Sequence, residues 1–393
     1  MPMLRIGLFS ETFLPVIDGV GRVVHAYART LSQAGHQVTV AAPVTDSAVR
    51  EDQPFQWVGW KSFPVPRARQ YKIGVPALDG SYTKRMDAVK LDIVHAHSPF
   101  SAGSAALREA RRQKVPLVYT FHSKFYDDFY VATKSAALAR LAANYVVRFA
   151  RRCDEVWAVS GAAARLIGDY GFPGPVRVMP NGVDIRSDGP MASGPAAGHF
   201  GLGDAPYLLY AGQLDWKKNL LLILRAAALL KNQGVSFNLV FAGRGNDREA
   251  LELKAKELGI ADRLVLAGHL TDAAELDGLY RGASLFVFPS LYDTAGLVVR
   301  EAAVMGTPSV LIGGSDAAEG ISDGDNGYLC ADDPLDLCRV MREALSQPDR
   351  LAQIGRRAKE TLPLAWGGVM QDVVSQYERI IDAYQGRPDP RQA

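Results

Sequence analysis

The sequence predicts an α/β protein made of two doubly wound parallel-sheet domains, and three observations carry that prediction. Short, almost unbroken apolar runs alternate with longer amphipathic stretches, as buried parallel strands alternate with the helices that cover them. The alternation occurs twice, once over residues 4–179 and again from residue 207 onward. Between the two series, residues 187–206 are rich in Gly, Pro, Ala and Ser, the composition of a domain boundary. A chain of 393 residues has room for two such domains, each with its own core.

The first series opens with a strand over Leu4–Phe9, a loop over Ser10–Gly21, a helix from Arg22 to Ala34 closed by Gly35-His36, and a strand over Gln37–Ala41. This is a βαβ unit, for which a right-handed parallel crossover is the default. Gly19 and Gly21 stand just before the helix, where backbone can approach a ligand closely. The loop is too long, and its glycines too late, for the G-x-G-x-x-G turn of nicotinamide enzymes, which counts against a dehydrogenase. Residues 43–90 hold several prolines and scattered bases and predict irregular structure, with one strand near Trp57–Phe63. Leu91–His97 and Pro116–His122 are strands flanking a helix over Ser101–Gln113. His97 and His122 end their strands, where open parallel sheets place their ligands. His95 and His97 alternate along one strand and are expected on opposite faces, which argues against a metal pair.

Residues 131–152 predict one helix, with Lys134, Arg140, Arg148, Arg151 and Arg152 on one side and Leu138, Tyr145, Val146 and Phe149 on the other. A solvated face over a packed face explains this; an amphipathic helix lying on anionic lipid also does. A strand over Asp154–Val159, a helix over Gly161–Tyr170 and a strand over Val176–Met179 complete the series, and Pro180-Asn-Gly-Val-Asp184 is turn chemistry.

The second series runs through strands at Tyr207–Ala211, Phe237–Ala242, Leu264–Ala267, Ala283–Phe288 and Ser309–Ile312, and ends in helices near 333–346, 349–360 and 365–384. The expected domains are 1–185 and 207–364, with a linker over 186–206 and a C-terminal helical segment, 365–393, packing back toward the first. Two such halves predict a ligand cleft between them. Lys218, beside a helix start, is a candidate phosphate cation. The stretch Pro289-Ser-Leu-Tyr-Asp293-Thr-Ala-Gly296-Leu-Val-Val-Arg-Glu301 is a strand end, a tight loop and a helix N-terminus. Free N–H groups at such a terminus form an anion site. The carboxylates of Asp293 and Glu301 suit hydroxyls rather than phosphate, so the pattern points to a nucleoside diphosphate carrying a polyol.

Composition narrows the function classes. Hydrophobic content of 48% and charged content of 22% are ordinary for a soluble enzyme. The net charge of +2 conceals a basic front, +9 over residues 1–180, and an acidic rear, −7 over 181–393. The bases are scattered without a recognition motif, so nucleic acid is not an expected partner. Cys153, Cys330 and Cys338 lack metal spacing and fit a reducing cytoplasm. The N-terminus leads straight into a strand rather than a signal peptide, and no apolar run reaches membrane-spanning length. Membrane contact, if any, is then peripheral, on the inner face of the cell membrane.

These motifs together resemble the retaining nucleotide-sugar glycosyltransferases of glycosyltransferase family 4, with two Rossmann-like domains in the GT-B arrangement. The resemblance rests on Asp18-Gly19 with Gly35-His36, on His122, Pro180-Asn-Gly-Val-Asp184, Gly212…Lys218-Asn219, Gly243-Arg-Gly245 and the pair Asp293…Glu301. It implies that Gly19, Lys218 and the backbone at Gly296, Leu297 and Val298 hold the donor diphosphate, with Gln213 beside them. It implies that Asp293 and His122 meet the donor sugar near the reacting carbon, that Glu301 holds the ribose, and that residues near Gly245 and Leu270 line the base. Two positions depart from the family pattern: Asp293 stands where Glu is usual, about 1.5 Å shorter in reach, and Gln213 stands where Arg is usual. Gln213 leaves Lys218 with more of the diphosphate charge. Ala96-His97-Ser-Pro-Phe100 and Thr120-Phe-His122-Ser-Lys-Phe-Tyr126-Asp-Asp128 are similar to bacterial enzymes that glycosylate diacylglycerol lipids, which puts His97 and Tyr126 on the acceptor side.

The expected reaction is transfer of a hexose, glucose foremost, from a UDP-sugar to an acceptor hydroxyl with retention. No cofactor and no metal is required, and no Asp-x-Asp pair points to one. The alternatives are a soluble or polysaccharide acceptor, a nucleotide-sugar epimerase or hydrolase, and an inactive sugar-nucleotide-binding protein.

Overall fold

The structure is a computed structural model that describes residues 2–13, 19–44, 53–65, 68–186, 200–202 and 205–386. It divides into two units, Met1–Asn181 with Trp366–Ala393, and Gly182–Ala365. Of the expected linker 186–206, residues 187–199, 203 and 204 lie outside the described residues.

The first unit is built on a seven-stranded sheet in the order β3-β2-β1-β6-β7-β8-β9. Its strands are β1 (Arg5–Phe9), β2 (Gln37–Pro43), β3 (Gln56–Trp60), β6 (Ile93–Ala96), β7 (Leu117–Phe121), β8 (Glu155–Ala158) and β9 (Val176–Val178). Every pairing is parallel, with Ile6 opposite both Val38 and Ile93. The central strands are buried along nearly their whole length, which explains their continuous apolar runs. Strand order reverses at β1, which lies between β2 and β6. In a doubly wound sheet the carboxyl ends of two such strands open a crevice, here at Ser10–Thr12 and His97-Ser98.

The last helix, Trp366–Gln385, belongs to this unit. Trp366 meets the edge of Tyr27, and Tyr377 stacks on Trp157 at 5.6 Å. The Tyr377 hydroxyl reaches His95 Nδ1 at 2.6 Å, and Arg379 donates to Glu155 at 2.6 Å.

Two stretches differ from the sequence-based expectation. The described residues of 43–90 hold more regular structure than their composition implies. Beyond β3 they hold a small antiparallel hairpin, β4 (Phe63–Val65) with β5 (Ala68–Ile73), and a helix over Gly80–Asp87. Asp79 caps that helix by accepting from Ser81 N and Tyr82 N, and it also accepts from Lys61 N, so one carboxylate ties helix to strand end. The single helix expected over 131–152 is two, Phe125–Thr133 and Ala136–Ala150. Lys134 turns left-handed, with φ 54°, and Ser135 starts the second helix by accepting from Leu138 N. The break also changes the faces. Val146 and Phe149 are packed, but Leu138 and Tyr145 stand in solvent beside Tyr130, Val131 and Leu141.

The second unit carries a six-stranded parallel sheet in the order β12-β11-β10-β13-β14-β15. Its strands are β10 (Tyr207–Ala211), β11 (Asn238–Ala242), β12 (Leu264–Gly268), β13 (Leu285–Val287), β14 (Ser309–Ile312) and β15 (Tyr328–Cys330). Leu209 faces Val240 on one side and Phe286 on the other, so order reverses at β10 and the crevice opens between the ends of β10 and β13. The unit's first described turn is tied to its last, as Val183 N donates to Leu364 O at 2.7 Å.

Candidate functional site

In the first unit the end of β6 places His97 and the end of β7 places His122. The strand β6 ends at Ala96, and His97 N donates to Phe9 O at 2.8 Å, the last bond of the parallel ladder with β1. The expectation that His95 and His97 lie on opposite faces fails, because residues two apart on a strand share a face: their rings are 4.1 Å apart and tilted by 31°. His97 Nδ1 meets His122 Nε2 at 3.0 Å. His95 is held separately, by Tyr377 and by Thr120 Oγ1 at 2.7 Å. Burial holds all three rings neutral: His122 is pushed down to about 3, and His95 and His97 lie well below the usual range, each lowered further by neighbouring imidazoles.

Gly19 opens the helix Gly19–Gln33 in open space, where a Cβ would meet nothing within 4 Å. Asp18 lies outside the described residues. Tyr126 sits in the helix Phe125–Thr133, where its N–H donates to the Tyr170 hydroxyl and its ring stacks on Tyr130. Sequence reasoning passed over Glu11. Its carboxylate accepts from Ser101 N, Ala102 N and the Ser101 hydroxyl, capping the helix Ser101–Gln113, and burial raises its pKa. Phe100, the residue before that helix, has no side-chain acceptor, so a carboxylate 90 positions away supplies the cap.

In the second unit Lys218 ends a short 3-10 turn, Trp216–Lys218, that Asp215 caps. It is 9% exposed, and its ammonium donates to both carboxylate oxygens of Asp293 at 2.9 Å. The Tyr292 ring lies 4.5 Å from Lys217 Nζ and 5.1 Å from Lys218 Nζ, a cation–π platform under both. Asn219, left-handed at φ 62°, donates its amide to Pro289 O and Asp332, pinning the turn to the end of β13.

Gly296 is left-handed, with φ 55°, and a Cβ there would come within 3.0 Å of Ala317 O. It starts the helix Leu297–Val304 without a side-chain cap. The first N–H groups of that helix, at Leu297 and Val298, lack intrahelical acceptors, an arrangement suited to an anion. Glu301, one turn further, is 7% exposed and accepts from the Tyr280 hydroxyl at 3.3 Å. Tyr280 was not among the residues singled out from sequence, because it lies 21 positions away in another helix.

The glycines at the ends of β10 and β11 have a packing reason of their own. A Cβ on Gly243 would lie 1.8 Å from Gly212 O, and one on Gly245 would lie 2.1 Å from Leu214 O. The loops therefore touch backbone to backbone. Gln213 is exposed and its carbonyl accepts from the Tyr210 hydroxyl, while Leu270 is half buried against the core. Lys218, Asp293, Gly296 and Glu301 are thus gathered at the crevice of one sheet. Among the described residues, no group of three or more His, Cys, Asp or Glu is placed to hold a metal ion.

Comparison with known proteins gives the family and the fold. The family model of Glycosyltransferase Family 4 matches residues 17–187, and that of Glycosyl transferases group 1 matches 199–361. A D-inositol 3-phosphate glycosyltransferase of Gordonia bronchialis is 30% identical over 77% of this chain and 69% of its own. An alpha-monoglucosyldiacylglycerol synthase of Streptococcus pneumoniae is 27% identical over 88% of this chain and 79% of its own. The Anabaena HepE protein, solved with UDP and glucose, superposes with a TM-score of 0.78 at 17% identity, covering 96% of this chain and 100% of its own. The chain belongs to glycosyltransferase family 4 and carries the Rossmann-like domains of the GT-B fold.

Proposed function

We propose that the protein moves glucose from UDP-glucose, with retention, to a hydroxyl of a diacylglycerol-type lipid. The observation that carries the donor half is the meeting of Lys218 with Asp293 beside the helix amides at Gly296–Val298, with Glu301 one turn on. A diphosphate entering this crevice takes Lys218 and the amides as its counter-charge. Asp293, released from the lysine, turns to the sugar hydroxyls, and Glu301 takes the ribose hydroxyls. The acceptor oxygen attacks on the leaving group's own face, and the departing phosphate oxygen takes its proton. The chain supplies position and charge, without a metal.

The acceptor half rests on the surface of the helices Phe125–Thr133 and Ala136–Ala150. Tyr130, Val131, Leu138, Leu141 and Tyr145 stand exposed there among Lys134, Arg140, Arg148, Arg151 and Arg152, all in solvent. Such a surface fits the inner face of an anionic bilayer, with the apolar side chains entering the headgroup boundary and the bases meeting the lipid charge. The Streptococcus pneumoniae relative is named an alpha-monoglucosyldiacylglycerol synthase. Among the described residues, no helix is long and apolar enough to cross a membrane.

The deciding experiment measures UDP release from a panel of nucleotide sugars, with diacylglycerol vesicles, soluble sugars or no acceptor. Lipid-dependent release from UDP-glucose, with an α-linked product, is expected. Equal release without any acceptor makes the protein a hydrolase or epimerase, and no release from any donor makes it a binding protein. Flotation with anionic vesicles tests the surface. Binding should fall with salt and when Arg148, Arg151 and Arg152 become Ala; failure to float at low salt shifts the acceptor to a soluble one.

A further inference from the structure

The contact between His97 and His122 fixes where a proton sits. Each ring is neutral, so each has one N–H and one lone pair. A hydrogen bond between His97 Nδ1 and His122 Nε2 then has two forms only. In one, His97 Nδ1–H donates, His97 Nε2 is a bare lone pair, and His122 carries its proton on Nδ1. In the other, His122 Nε2–H donates, and His97 must carry an N–H at Nε2.

His97 Nε2 is sealed from solvent and has no hydrogen-bond partner among the described residues. The neighbouring His95 ring cannot serve it, because both His95 nitrogens are engaged with Tyr377 and Thr120. Tyr27 meets the His97 ring at 5.2 Å and 79°, which offers an N–H at most a weak aromatic contact. A buried N–H without an acceptor is rarer and costlier than an idle lone pair. The first form is therefore the stable one.

We propose that His97 is a positioning residue: by donating from Nδ1 to His122 Nε2 it locks His122 in the Nδ1–H tautomer, so that His122 meets the sugar as a donor. This rests on the reading that His122 contacts the donor sugar. An imidazole so locked gives a hydrogen bond to a sugar oxygen and takes no proton from the acceptor, which leaves the departing phosphate as the base.

The test is a long-range proton–nitrogen correlation spectrum of the full chain labelled at histidine, joined to kinetics. His122 should appear as the Nδ1–H tautomer in the unmutated protein. His97→Leu should scramble that signal and lower kcat tenfold or more, with UDP affinity within twofold. His97→Asn, whose amide nitrogen stands near the place of Nδ1, should restore the tautomer and most of kcat. An Nε2–H tautomer at His122 in the unmutated protein overturns the proposal, as does a folded His97→Leu with unchanged kcat. If His97→Leu does not fold, the spectrum and His97→Asn still decide. If no donor is turned over at all, the functional reading fails while the spectrum still judges the tautomer.

Discussion

The two units present the same architecture with opposite chemistry. Both are parallel sheets whose order reverses at a central strand, β1 in one and β10 in the other, and both place candidate residues at the carboxyl ends beside that reversal. The first unit lines its crevice with buried neutral imidazoles, His95, His97 and His122. The second lines its own with an ion pair, Lys218–Asp293, and a buried carboxylate, Glu301. Neutral donors and acceptors suit hydroxyls; a cation poised beside helix amides suits a diphosphate. The sheet supplies the place, and the loops supply the chemistry. Overall charge runs the other way, since Lys218, the proposed phosphate cation, sits in the acidic half of the chain. Net charge bears on association; local geometry decides the site.

The largest expected effect separates the units by pH. The folded-state pKa values of His95, His97 and His122 lie below the unfolded value of 6.5, so the unfolded chain binds protons that the folded chain refuses. Their contribution is complete above pH 6.5 and is lost as pH falls toward about 3, where His122 titrates. In that window His122 alone costs about 1.4 kcal/mol per pH unit, and His95 and His97 act in the same direction. The second unit has no buried histidine among its described residues. Urea midpoints read separately for each unit by pulsed hydrogen exchange, at pH 7 and pH 5, should fall far more in the first. Equal shifts would break the comparison.

Next come two variants of opposite sign in the charged site. Lys218→Ala should cut turnover by about 10²–10³ and weaken UDP binding, because the diphosphate loses its buried cation. Unchanged UDP affinity would remove the phosphate role. Asp293→Asn should tighten UDP several-fold while turnover falls, because Lys218 loses its competitor and the sugar loses a carboxylate. Weaker UDP binding in that variant would mean that the ion pair prepares the lysine rather than occupying it.

The smallest effect tests the ribose contact. Glu301→Ala should weaken UDP about tenfold, within the range of a charged hydrogen bond, and should erase the preference for UDP over 2′-deoxy-UDP. Tyr280→Phe should give a smaller loss in the same direction, because its bond to Glu301 is long. A Glu301→Ala protein that still distinguishes the two nucleotides sinks the assignment.

Much of this was legible in the residues. The strands were readable because burial on both faces writes them as continuous apolar runs. Gly296 was readable as the joint before a helix. The helix over 131–152 was misread because neither Gly nor Pro marks the break at Lys134; a left-handed lysine leaves no compositional trace. The helix over Gly80–Asp87 was missed although its Asp79 cap stood in view, because a short amphipathic turn among prolines has too little period to register.

By itself the sequence determined what lies within a few turns of chain: strand, helix, cap and the order in which they recur. Those follow from side-chain period and backbone preference, which act locally. Tertiary structure alone decided the pairings. His97 shares a strand face with His95, two positions back, and the end of the neighbouring strand brings His122 against it. Lys218 meets Asp293 across 75 positions, and Tyr377 meets His95 across 282. Such partners share no window of sequence; they are joined because the same parallel sheet brings distant strand ends to one edge, where buried polar groups must find each other or go unpaired.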